Sequence, residues 1–146
     1  EYGIAIGERT AEEIKLAIGS AYTTADEFKA EVRGRDLMSG LPKTIVLTPE
    51  EVRGAIEEQV AAVCDAVVRC LAQSPPELAQ DLISEGVHLV GGGAMLRGLD
   101  LRISIEAQLP VHLVEAPLEA VVLGAGRCLA AFDLLKSMFM AQSGRR

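Results

Sequence analysis

The sequence predicts an α/β fold in two parts that meet near residue 48, and three observations carry that reading. From Val87 onward, short apolar strands alternate with helical patterns over short links, the arrangement of a sheet covered by helices. A long periodic helix with its own start signal opens at Thr48. Ahead of it, residues 1–48 mix one helix with two β-type runs.

In the front part a helical pattern covers Ala11–Ser20, with Ile14 and Ile18 one turn apart on an apolar face. Glu12 and Lys15 stand i, i+3 and can pair on the surface. Thr23 to Asp26 is a polar link. Phe28–Arg33 alternates and Thr44–Thr48 is β-branched, while Gly34–Gly40 between them is rich in turn residues. A hairpin with a longer loop follows.

Thr48, Pro49 and Glu51 supply an N-cap, a proline at the first helical position and a glutamate placed to reach back to the cap. Apolar residues then recur at Val52, Ile56, Val60, Val63, Val67 and Leu71, which predicts an amphipathic helix to about Gln73. Pro75 and Pro76 stop it, since proline breaks the hydrogen-bond ladder. Glu77–Glu85 reads as a short helix and Val87–Val90 as a strand. The Gly91–Gly93 turn, a helix over Leu99–Gln108, a strand at Val111–Val114 and a last helix from Leu118 to Met138 complete the chain. The tail from Ser143 to Arg146 is expected to be disordered.

Composition narrows the function classes. The 146 residues are 49% hydrophobic with a net charge of −7, so the basic footprint of a nucleic-acid binder is missing. No apolar run approaches the ~20 residues of a membrane span. Cys64, Cys70 and Cys128 are odd in number and lack CxxC spacing, which fits a reducing cytoplasm and buried free thiols. The chain opens at Glu1 on the apolar stretch Tyr2–Ile6 and reads as a fragment of a longer protein.

The Gly91–Gly93 turn leaves two readings open, ligand contact and close backbone packing. Glycine admits positive φ and lets a ligand approach the main chain, and strand-to-helix turns of α/β sheets are where ligands collect. Two familiar phosphate motifs fail. Gly93 and Gly98 have P-loop spacing, but Leu99 and Asp100 stand where Lys and Ser/Thr are needed. The GxGxxG fingerprint meets Leu96 at its third glycine. Gly124 and Gly126 inside the last helix should each cost roughly 1 kcal/mol against alanine, a packing or hinge signature.

These pieces together resemble the MreB family of bacterial actin-like proteins that determine rod shape. The resemblance rests on Ile6–Lys15 with Ile18–Ala21, on Glu31–Leu37 with Gly40–Ile45, on Pro75–Ala79, on Gly91–Asp100 and on Leu123–Arg127, in order and almost without gaps. It implies the actin-like ATPase (ribonuclease H-like) fold, second lobe only. Residues 1–48 would be its small α+β subdomain. Residues 49–146 would be the large helix-covered subdomain, incomplete at its N-terminal side. It further implies ATP as ligand, with Glu12, Glu13, Ile14 and Lys15 of the first helix and Gly92, Gly93, Ala94 and Met95 of the loop on the adenosine side. The magnesium ion and the phosphates would be held by parts outside this chain, so no catalytic residue is expected here.

The resemblance also implies partners and a place in the cell. The parent family self-associates into filaments, works with membrane-anchored shape and wall-synthesis proteins, and lies in the cytoplasm against the inner membrane surface. The Gly124–Gly126 helix resembles a hinge helix that crosses a partner from the other lobe. Four positions depart from the family pattern: Ala116 replaces an Asp before Pro117, Glu119 a Thr, Arg102 a Leu and Gln108 a Gly. Ala116 should weaken a helix cap by about 1 kcal/mol. Arg102 and Gln108 bear on the packing of the helix after the loop. Two other function classes stay open. One is a small-molecule α/β enzyme at the Gly91–Gly93 turn, for which His88 and His112, both within strands, give no nucleophile–base pair. The other is a nucleotide-independent interaction module.

Overall fold

Thr48 starts the element that joins the two parts of the chain. In the computed structural model, which describes residues 2–25 and 27–136, the Thr48 hydroxyl accepts from the Glu51 amide at 3.3 Å while the Glu51 carboxylate accepts from the Thr48 amide at 2.9 Å. This reciprocal cap opens helix α2, Pro49–Ala72. Its first turns pack Val52 into a cluster with Ile14, Ile18 and Val32. Further along, Val60 and Cys64 join Ala21, Leu99 and Ile103 in a second cluster. One helix face therefore serves both cores.

The first core belongs to strand β1 (Ile4–Ala5), helix α1 (Glu8–Ile18), strand β2 (Ala30–Asp36) and strand β3 (Pro42–Leu47). The strands form an antiparallel sheet in the order β1-β2-β3. The hairpin forms as expected, but β2 extends through Gly34 to Asp36, into the stretch expected to be its loop. Two causes are visible. β1, which local pattern did not announce, pairs Ile4 with Asp36 and Ala5 with Arg35. Asp36 also closes the turn, accepting from the Met38 amide at 3.0 Å and the Ser39 amide at 2.8 Å and pairing with Lys43 at 3.0 Å. The Ser39 amide, Lys43 and the Ser39 hydroxyl hold the Asp36 carboxyl well below the usual carboxylate range.

The second part follows the alternation read from sequence. After a short 3₁₀ turn at Pro76–Leu78 come α3 (Ala79–Glu85), strand β4 (Val87–Leu89), a second 3₁₀ turn at Gly92–Met95, helix α4 (Leu99–Ala107), strand β5 (Val111–Leu113) and helix α5 (Ala120–Ala130). β4 and β5 pair in parallel as a two-stranded sheet. Leu89 and Val111 turn toward the α2–α4 core, while His88 and His112 stand opposite each other on the exposed face.

Several expectations need correction. Only Cys64 is buried, and Cys70 and Cys128 are exposed. Cys70 lies near the far end of α2, beyond the Val60–Cys64 contact with α4, and α5 buries no residue. The last helix begins at Ala120 and breaks at Ala131 (φ −104°, ψ 22°), with helical residues resuming over 132–136. Its expected continuation to Met138 and the expected disordered tail lie outside the described residues. Arg102, expected to bear on the packing of α4, is engaged in ion pairs. It donates to Glu57 of α2 at 2.7 and 3.2 Å and also pairs with Glu106, so an ion pair ties α4 to α2. α5 has no side-chain cap, in line with Ala116, although the Ala116 carbonyl accepts from the Ala120 amide at 2.8 Å.

Candidate functional site

Helix α1 and the loop after β4 face each other across an open cleft of about 580 Å³. On α1, Glu12, Lys15 and Leu16 stand at i, i+3 and i+4 on one face, and Gly19 caps the helix just beyond them. The loop contributes Gly92, Gly93, Met95, Leu96 and Arg97, and Leu118 enters from the turn before α5. That turn is tied to the loop because the Gly91 amide donates to the Pro117 carbonyl at 2.7 Å.

Five of the eight residues singled out from sequence meet here: Glu12, Lys15, Gly92, Gly93 and Met95. The other three do not line the cleft, for reasons of helix geometry and packing. Glu13 is rotated off the face and pairs with Arg9 at 3.0 Å. Ile14 points inward and is part of the first core. Ala94, 8% exposed, lines an adjoining apolar groove with Val60, Val63, Leu89 and Leu99, which shares Lys15, Gly93 and Leu96 with the cleft.

The chemistry of the cleft is mostly apolar with one ion pair. Lys15 Nζ stands 2.7 Å from Glu12 Oε2, as the i, i+3 spacing suggested, and both side chains keep solvent access. Met95, 52% exposed, presents a soft thioether surface beside Leu16, Leu96 and Leu118. A Cβ placed on Gly93 would meet nothing within 4 Å, and one on Gly92 would only touch Leu118 at 3.4 Å. The main chain is thus open to approach at both glycines. Such a surface suits a flat ring against the loop and a hydroxylated group within reach of the Glu12 carboxylate. Among the described residues no group of three or more His, Cys, Asp or Glu could hold a metal ion.

Arg97, which sequence reasoning missed, also lines the cleft. Its Nη2 donates to the Ala17 carbonyl at 2.7 Å and its Nε to the Gly19 carbonyl at 3.2 Å. These carbonyls end α1, where a helix leaves acceptors without internal partners. The Arg97 carbonyl in turn accepts from the Ala21 amide at 2.7 Å. Gly98 follows at φ +73°, with Tyr22 only 3.0 Å from where a Cβ would sit, so glycine is required to start α4 there. Leu16 and Gly19 were readable as turn-neighbours of Glu12 and Lys15. Arg97 and Leu118 were not, because tertiary contacts bring them in.

Gly124 and Gly126 of α5 make no close approach to any described residue, since a Cβ on either would meet nothing within 4 Å. The His88 and His112 rings lie 5.4 Å apart, tilted by 38°, on the exposed sheet face and away from the cleft. No helix among the described residues is long and apolar enough to cross a membrane.

Comparison with known proteins gives one consistent result. The family model described as MreB/Mbl protein matches residues 1–137. The cell shape-determining protein Mbl of Bacillus subtilis is 42% identical over 135 residues, covering 92% of this chain and 40% of its own length. The cell shape-determining protein MreB of Escherichia coli K12 is 44% identical over 133 residues, covering 91% of this chain and 38% of its own. Among solved structures, MreB5 of Spiroplasma citri bound to AMPPNP superposes with a TM-score of 0.85 at 34% identity, covering 94% of this chain and 41% of the other. The same protein bound to ADP gives 0.85 at 36% identity. The chain therefore spans about 40% of the length of the curated relatives it matches.

Proposed function

The chain belongs to the MreB/Mbl family, and from that premise we propose that it supplies the adenosine side of an ATP site in a filament-forming bacterial actin homologue that maintains rod shape. Its fold is the actin-like ATPase fold of MreB chains, of which it forms a part. The observation that carries the proposal is the cleft itself, where Glu12 and Lys15 on one wall face Gly92, Gly93 and Met95 on the other. In this reading the base lies against the glycine main chain and Met95, the Lys15 stem covers its edge, and Glu12 accepts from the ribose hydroxyls.

The phosphates and magnesium fall to the rest of the parent protein. Hydrolysis, self-association, partnership with membrane-anchored wall-synthesis proteins and a cytoplasmic place against the inner membrane belong to that larger assembly in the same proposal. The relatives named for cell shape and the solved MreB5 complexes with AMPPNP and ADP support it.

Titration of this chain with adenosine, ADP and ATP tests the reading. Adenosine and ATP should bind with similar, weak affinity, and Glu12→Gln or Gly93→Val should weaken both together. A strong preference for ATP would mean that this chain carries phosphate contacts of its own and would overturn the half-site proposal.

A further inference from the structure

We infer that Arg97 is the positioning residue that sets the width of the cleft, by clamping the glycine loop to the end of the helix that forms the opposite wall. The inference rests on the proposed adenosine site for its ligand, but its geometry stands independently. The two walls belong to different parts of the chain: α1 packs in the first core, and the loop and α4 pack in the second. Where the loop runs past the end of α1, Ser20 forms a parallel bridge with Arg97.

Two of the contacts there come from the Arg97 side chain, to the carbonyls of Ala17 and Gly19. A third comes from its main chain, to the Ala21 amide. The guanidinium also lies 5.9 Å from the centre of the Phe28 ring. The backbone bridge ties the two main chains at one register position only. The fork of the guanidinium adds two more points, which fixes the angle as well as the contact. Its charge is well placed, because a cation at a helix C-terminus meets the negative end of the helix dipole.

The segment is also held from its other side. Arg53 of α2 donates to the Ser20 hydroxyl at 3.1 Å and pairs with Glu27. Residues 19–21 are thus gripped by α2 behind and by Arg97 in front, while the cleft opens beyond Gly19 and Lys15. Arg97 lines that cleft while its Nε and Nη2 donate to the Gly19 and Ala17 carbonyls. In this inference it acts on a ligand through the separation of Lys15 and Gly93.

The test uses Arg97→Ala and Arg97→Lys, with two readouts. Nitroxide labels on Arg9→Cys and Leu101→Cys, in a background of Cys70→Ser and Cys128→Ser, report the separation of α1 from α4. Arg97→Ala should broaden that distance distribution, and Arg97→Lys, which keeps the charge but loses the fork, should fall between it and the parent. Adenosine affinity should drop by about tenfold in Arg97→Ala, because ligand binding must then also order the two walls, with partial recovery in Arg97→Lys. An unchanged distance distribution in a folded Arg97→Ala protein overturns the inference, and so does unchanged adenosine affinity. If the parent chain itself binds no adenosine, the proposed site fails, and the distance measurement alone still decides whether Arg97 holds the walls.

Discussion

Arg102 on α4 clasps Glu57 on α2 through both terminal guanidinium nitrogens, at 2.7 and 3.2 Å. The hydrogen bond to Arg102 is the largest influence holding the Glu57 carboxyl below its ordinary value of 4.5. A carboxylate depressed in the folded state adds stability above its unfolded value and loses it as pH falls through the folded one. Arg102→Ala should therefore lower the melting temperature at pH 7, and the gap to the parent should shrink steadily below pH 4.5. Because the Glu57 side chain is 46% exposed, the pH 7 effect should be smaller than that of a core truncation such as Ile103→Ala, for which about 2–5 kcal/mol is typical. Thermal melts across pH 3 to 7 check this, and a gap independent of pH would show that Arg102 acts by packing alone.

Gln108 ends α4 in the left-handed region, at φ 55° and ψ 36°. Glycine takes that conformation freely, whereas a side chain there costs on the order of 1 kcal/mol. Gln108→Gly should raise stability by about that amount, read as a higher denaturant midpoint with an unchanged slope. A lower midpoint would mean that the Gln108 side chain makes a contact worth more than the backbone strain.

The elements of this chain were legible wherever local chemistry decides them. Thr48, Pro49 and Glu51 announce α2, and the 3.6-residue recurrence from Val52 carries it to within a residue of its observed end. β1 is different, since two residues show no period and Ile4 becomes a strand only through its pairing with Asp36. The site divides in the same way. Glu12 and Lys15 share a face because of helix geometry, so their proximity could be read in advance. The glycine turn could be noticed but not assigned, since close packing and ligand contact ask the same of a main chain. Ala94 and Ile14 were grouped with the site by resemblance, and only the folded chain places Ile14 in the first core and Ala94 in the adjoining apolar groove.

Cys64 is fully buried, and burial pushes its thiol up from the ordinary value. Cys70 and Cys128 are exposed. Thiolate is the reactive form, so a buried thiol with a raised pKa reacts slowly. Ellman's reagent at pH 8 should label Cys70 and Cys128 quickly in the native chain and reach Cys64 only after denaturant is added. Rapid labelling of all three without denaturant would mean that the α2–α4 core opens on the timescale of the reaction.

Helix α5 buries none of its residues, although it is among the most apolar segments of the chain: Val121 is 70% and Leu129 74% exposed. An apolar face of this kind drives association of exposed surfaces. Val121→Lys together with Leu129→Glu should reduce self-association and dye binding by the chain, while changing its stability by no more than about 0.5 kcal/mol, the usual range for surface sites. The same pair placed in a longer family member tests what that face is for. If the additional chain covers α5, the substitutions bury two charges and become strongly destabilising. If they remain neutral there, α5 stays a free surface in the larger protein too. Paired sedimentation and melting measurements on both lengths separate these outcomes, because only a covered helix makes the cost of the substitutions depend on the length of the chain.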